Sequence, residues 1–278
     1  MNRVESVLVR WEVGVPNLQR AVDVRMEPFR FSRIRSWQEL TFALRQPILL
    51  SKSIEMHLLR HGETTTNAIH LVTGSQDVAL TARGERQAGH VGSMLDSHYD
   101  LAIHSTLSRS LRTLELAIQS GKVVIDCVES DARLNERSLG VLELQPSQLI
   151  EEYSRGDLSY APQGGESYAE VAQRCLSFLL DLALTVSSVP VEKILLCGHM
   201  GPMRILLGIL NEAEDSAQVL AQSFRNTEVI RHSWRKLILP LFLHREQIWS
   251  NLVAMHCSGC STRTQRSASA YYSKMLLR

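Results

Sequence analysis

The chain has 278 residues, 44% of them hydrophobic and 21% charged, which is enough apolar content for one sizeable core. Five scattered cysteines do not make a disulfide framework and point to a reducing, cytoplasmic setting; no apolar run approaches membrane-spanning length, and the longest, Leu237 to Leu243, contains Pro240. The formal net charge of +1 is unevenly spread: residues 1–53 carry +4, residues 54–235 carry −8 and residues 236–278 carry +5. An acidic centre argues against nucleic acid as the partner of the central domain, because neutralising phosphates needs a basic face.

Residues 1–53 use Arg eight times and show no clear periodicity, so they read as a basic N-terminal extension outside the catalytic fold. From residue 54 strand-like and helix-like patterns alternate, which predicts an α/β domain over 54–235. Ile54 to Arg60 is the first strand, ending in Arg60-His61-Gly62-Glu63. Thr81 is placed to N-cap a helix running to about Ser97. Leu101 to His104 is a second strand, and Leu107 to Ser120 a second helix whose apolar face is expected to comprise Leu107, Leu111, Leu114 and Ile118. Val123 to Val128 is a third strand, rich in β-branched residues. The polar stretch 145–166, with Pro146, Pro162 and Gly164-Gly165, should include loop. Ser167-Tyr168-Ala169-Glu170 has the form of a capping box opening a helix to about Val186. Lys193 to Cys197 is a fourth strand, followed by Gly198-His199 and a helix from Gly201 to Leu210, with Pro202 in its first turn. Thr227 to Ser233 is a last strand, and residues 236–278 read as a basic, disordered extension. Its one CxxC, Cys257 to Cys260, lacks the second pair that a four-ligand zinc site needs.

Six blocks stand in order along this domain: Arg60-His61-Gly62-Glu63-Thr64 with Asn67; Gly74, Asp77, Leu80-Thr81-Ala82-Arg83-Gly84 and Gln87-Ala88; Ser105-Thr106-Leu107-Ser108-Arg109 with Thr113; Leu134-Asn135-Glu136 with Leu139-Gly140; Gly164-Gly165-Glu166-Ser167; and Cys197-Gly198-His199 with Arg204. Together they resemble the histidine phosphatase superfamily, the phosphoglycerate mutase-like proteins, over roughly residues 54–233. The resemblance implies a three-layer α/β/α fold with a mostly parallel central sheet, and an active site at the strand C-terminal edge. It implies His61 as a phosphoryl-accepting nucleophile, with Arg60, Arg109 and His199 around the phosphoryl group and Glu136 as proton donor. The residue types fit that chemistry: a neutral imidazole attacks phosphorus, and cationic donors balance charge on the equatorial oxygens. No metal or other cofactor is needed in this scheme.

Asn67 either contacts substrate or caps its loop, and Glu166 and Ser167 read as helix-capping residues. Arg112 reads as surface beside the functional Arg109. Ser75-Gln76 and Thr65-Thr66 depart from the family pattern near the substrate pocket, so the partner expected is a small phosphorylated molecule of open identity. Glu136 and His199 lie 63 residues apart, a spacing that resembles the compact phosphatase branch rather than the mutases with their longer insertion. Hydrolysis is therefore the reading, with mutase-type transfer or a non-catalytic phosphate-binding role as alternatives; oligomeric state is not fixed by the sequence.

Overall fold

A computed structural model of the protein describes residue 37 and residues 46–147, 157–213 and 215–239. Five strands form one sheet: β1 (Gln46–Arg60), β2 (His98–His104), β3 (Val124–Ser130), β4 (Lys193–Gly198) and β5 (Val229–Leu239), in the order β3-β2-β4-β1-β5. β3, β2, β4 and β1 run parallel, and β5 pairs antiparallel with β1 at the edge. The six helices described are α1 (Thr65–Ala68), α2 (Ala82–Val91), α3 (Ser108–Gln119), α4 (Tyr168–Ser188), α5 (Met200–Leu210) and α6 (Ser216–Ala221).

Pleating sorts the central strands onto two cores. Ile54, Met56 and Leu58 of β1 and Ile194 and Leu196 of β4 share one core with α4 and α5, through Val171, Leu179, Met203 and Leu206. Leu59, Leu195 and Cys197 point the other way, to Val91 of α2 and to Leu114 and Ala117 of α3. Helices thus cover both faces, giving the three-layer α/β/α architecture, and the doubly buried strands explain why β1 and β4 read as near-continuous apolar runs.

Several elements differ from their sequence outline. β1 begins at Gln46 rather than Ile54, and Gln46–Leu49 pair with Lys236–Leu239, so the first and last strands reach into stretches that composition assigned to the flanks. Trp37 is 1% exposed in the core that α4 and α5 build, and its Nε1 donates to Ala213 O at 2.5 Å. The fold therefore takes in part of the N-terminal stretch. The CxxC and the remainder of both flanks lie outside the described residues. The first long helix stops at Val91, not Ser97: a side chain at Gly92 would meet Ser120 and Ala117 O, so the α2 end is closed by contact with the end of α3. The expected apolar face of α3 is rotated. Leu111 is 38% exposed, while Arg109, Ser110 and Thr113 are buried with Leu114 and Ala117, because the inward face also serves polar partners at the strand ends. Thr81 caps α2 and Ser167 caps α4 in a full capping box with Glu170, as outlined. The short α1 and α6 have no counterpart in the sequence outline.

Candidate active site

Three parallel strands end side by side. Arg60 lies opposite Gly198, and His61 N donates to Gly198 O at 3.0 Å. His104 lies opposite Cys197, and Ser105 N donates to Cys197 O at 3.2 Å. The residues that follow β1, β2 and β4 are thereby brought to one crevice at the C-terminal edge of the sheet, where open α/β folds bind ligands.

The loop after β1 is held from two sides. Gly62 N donates to Thr113 Oγ1 at 2.9 Å, and that hydroxyl donates to Arg109 O at 2.7 Å, which ties the loop to α3. On the other side Gly84 lets α2 approach so closely that a Cβ there would lie 2.0 Å from Glu63 O. His61 is buried, and its Nδ1 lies 2.7 Å from Gly62 O. A carbonyl only accepts, so Nδ1 carries the proton and Nε2 keeps a free lone pair. Burial first, then the neighbouring charges of Arg60 and Arg109, push its pKa well below the usual imidazole value. His61 is accordingly neutral at pH 7.

His199 is the N-cap residue of α5, fully buried, with its ring centroid 5.0 Å from that of His61. Burial, then His61, Arg109 and Arg60, push its pKa well down too. Its Nε2 lies 2.6 Å from Ser105 Oγ. Arg109, 1% exposed, donates from Nη1 to Gln76 O at 2.6 Å and from Nη2 to Gly74 O at 2.9 Å. Arg60 donates from Nη1 to Phe224 O. Burial lowers the pKa of both guanidiniums while the nearby Glu136 carboxylate opposes the shift, and each remains a cation at neutral pH. Among the described residues, three buried side-chain nitrogens have no hydrogen-bond partner: Arg60 Nε, Arg109 Nε and His199 Nδ1. Unpaired buried polar atoms are costly, and here all three belong to the one cluster around His61.

Glu136 follows the 3₁₀ turn Ala132–Leu134. Its Oε1 accepts from Arg137 N at 2.8 Å and from Gly201 N at 3.0 Å, which seats the carboxylate on the positive N-terminus of α5. Only glycine allows this: a Cβ at residue 201 would lie 2.5 Å from Oε1. Asn67 closes a capping box with Thr64, and its Oδ1 also accepts from Asn226 Nδ2 at 3.3 Å. Its carbonyl is thus committed to the loop, and a ligand contact there falls to Nδ2. Arg112 pairs with Glu85 and Glu115 on the outside of α3, and Glu166 pairs with Arg174 and accepts from Ser138 N.

The structure brings His61, Arg60, Arg109, Glu136 and His199 together, with Asn67 on the adjoining turn. Four further residues, to which the sequence outline gave no role, hold the cluster in place. Ser105 contacts His199, and Thr113 anchors the loop. Asn226 donates to His61 O at 3.0 Å. Glu143 accepts from Ser75 N and Leu139 N at 2.8 and 3.0 Å, which fixes the Gly74–Gln76 turn under Arg109. Ser105 and Thr113 stand in or beside the block that carries Arg109; Asn226 and Glu143 have no local signal, since only the tertiary fold brings them in.

A mostly parallel sheet covered on both faces thus carries two buried imidazoles, the buried Arg109 and the half-buried Arg60 at its strand ends. The chain belongs to the histidine phosphatase superfamily, branch 1, whose sequence profile matches residues 56–236. A 2,3-bisphosphoglycerate-dependent phosphoglycerate mutase of Cytophaga hutchinsonii is 35% identical over 130 residues, covering 44% of this chain and 61% of that protein. A phosphoglycerate mutase of Schizosaccharomyces pombe is 29% identical over 162 residues, covering 54% and 76%. The chain thus spans about three-fifths of the first of these relatives. A solved structure from Thermus thermophilus shares 29% identity at a TM-score of 0.52, covering 68% of this chain and all of that one. The mycobacterial glucosyl-3-phosphoglycerate phosphatase shares the fold at a TM-score of 0.56 and 24% identity, covering 67% and 97%.

Proposed function

We propose that the protein hydrolyses a small phosphomonoester through a covalent phosphohistidine on His61. The observation that carries this reading is the hydrogen bond from His61 Nδ1 to Gly62 O, which leaves Nε2 as a bare nucleophile among Arg60, Arg109 and His199. Nε2 forms the N–P bond as the ester P–O bond breaks, and the departing oxygen takes a proton from Glu136. Water then attacks phosphorus, the N–P bond breaks, Glu136 recovers a proton from the water, and inorganic phosphate leaves. Glu136 is held through Oε1, so Oε2 is the oxygen left to carry that proton. The three unpartnered donors on Arg60, Arg109 and His199 supply hydrogen bonds to the equatorial oxygens, where charge accumulates. Asn67 Nδ2 supports the substrate from the α1 turn.

The test is phosphate release across a panel of phosphorylated metabolites, with His61→Ala as control. Loss of turnover in that variant, together with an acid-labile, base-stable label on the native protein after brief exposure to labelled substrate, is the expected result. Unchanged turnover in His61→Ala contradicts the mechanism. Mutase-type transfer is the second reading, favoured by the names of the relatives at 29–35% identity. Isomerised phosphoglycerate without free phosphate would replace hydrolysis with it.

A further inference from the structure

Ser105 sits at the end of β2 and is fully buried. Its Oγ has two partners among the described residues. Leu107 N donates to it at 3.3 Å, and His199 Nε2 lies 2.6 Å away. A backbone N–H can only donate, so the hydroxyl acts there as acceptor and keeps its own proton for another partner. We infer that Ser105 donates this hydrogen bond to His199 Nε2 and thereby fixes the His199 proton on Nδ1, the ring nitrogen without a partner among the described residues, so that Nδ1–H is available as a donor to a phosphoryl group bound at His61. Ser105 is in this sense a positioning residue for His199.

The two histidines then share a tautomer but divide the work. In His61, Gly62 O accepts the hydrogen bond from Nδ1–H and leaves Nε2 free to attack. In His199, Ser105 occupies Nε2 and leaves Nδ1–H free to donate, as an oxyanion requires. The opposite tautomer of His199 would turn a lone pair toward the negatively charged oxygens and repel them. Burial and the surrounding cations keep His199 neutral, so the choice of tautomer decides whether it donates or repels. The inference rests on the proposed phosphoryl site for its purpose, while the position of the proton can be read without turnover.

The test uses the full chain labelled with ¹⁵N-histidine. Two-bond ¹H–¹⁵N spectra at pH 7.5 report which ring nitrogen of each imidazole is protonated, with His199 assigned by its loss in His199→Gln. The expected result is a proton on Nδ1 and a hydrogen-bonded, unprotonated Nε2, with the Nδ1–H signal moving when orthovanadate is added. A proton on Nε2 of His199 in the native protein overturns the inference, whether or not any variant folds. Kinetically, Ser105→Ala should lower kcat by about 10–100-fold with KM changed less than about threefold, and Ser105→Thr should restore the tautomer and most of the rate. A Ser105→Ala variant that keeps both the Nδ1–H form and native kcat also overturns it. A protein that hydrolyses no phosphomonoester, yet carries the His199 proton on Nδ1, would sink the proposed function and leave the Ser105 assignment standing.

Discussion

Burial and two neighbouring guanidiniums act together on His61, and the sign of the result is testable. The protonated imidazole is disfavoured in the folded protein, so the nucleophile stays in its reactive neutral form below the pH at which an ordinary histidine would be half protonated. The expected pH profile of kcat/KM is therefore level through pH 6.5, with its acid limb lower still. Arg60→Gln removes one of the repelling charges and should move that limb upward, toward 6.5. A limb unmoved by the substitution would mean that Arg60 does not act on His61 through its charge. The same shift reaches stability. Below about pH 6.5 the unfolded chain binds a proton at residue 61 that the native state refuses, so stability falls as pH falls, by up to about 1.4 kcal/mol per pH unit for this group. Between pH 7 and pH 5.5, urea unfolding should show the native protein losing about 1 kcal/mol more stability than His61→Gln, whose profile is the flatter of the two. The identities of His61, Arg109, Glu136 and His199 were legible because each stands in a short block at a strand end or helix start. Ser105 stood in such a block without being singled out, since its role depends on β2 and β4 lying side by side.

At the scale of elements, two helix N-termini set the geometry, and glycine makes both approaches possible. Gly201 in the first turn of α5 lets Glu136 reach its backbone N–H, with Oε1 only 2.5 Å from where a Cβ would stand. Gly201→Ala should displace the carboxylate and lower kcat by about ten- to a hundredfold, since a misplacement of about 1 Å can cost that much. Thermal unfolding should move little, because alanine is otherwise welcome in a helix. A fall in melting temperature that matches the loss of activity would assign Gly201 to packing alone. Gly84 in α2 is tighter, with its virtual Cβ 2.0 Å from a backbone carbonyl that cannot swing aside. Gly84→Ala should destabilise the fold by about 1–3 kcal/mol and disturb the His61 loop with it, measured by urea unfolding and by phosphate release on the same sample. The caps of α2 and α4 were readable from Thr81 and from the Ser167–Glu170 pair because capping is local chemistry. The buried face of α3 was not. Apolar spacing alone turned Leu111 inward, whereas Ser110 Oγ donates to Cys197 O at 2.7 Å and Thr113 holds the loop after β1. A helix that lines a polar site breaks the rule that its most apolar stripe is its buried one.

Over the whole molecule, strand order explains why the site could be anticipated in parts and not as an assembly. β4 enters between β2 and β1, so residues near 60, 105 and 199 become neighbours only when the last parallel strand is in place. The alternation of strand and helix patterns made the layered class readable; the limits of the fold were not, because Trp37 stands in an arginine-rich stretch without periodicity. Yet Trp37 is one of the largest fully buried side chains described, and it packs on the side where α5 and α6 meet: a Cβ at Gly208 would lie 2.8 Å from its ring and from Val219. α5 is also the helix whose N-terminus receives Glu136 and whose N-cap is His199, at the end away from Trp37. Trp37→Ala in the full chain should cost about 3–5 kcal/mol in urea unfolding, as expected for removing a large buried aromatic. At pH 7.5, well below its unfolding midpoint, the variant should retain the native tautomer of His199, because the cavity opens at the opposite end of the helix. A loss of stability under 1 kcal/mol, on the order of an ordinary surface change, would place Trp37 outside the folding unit and return its boundary to the start of β1.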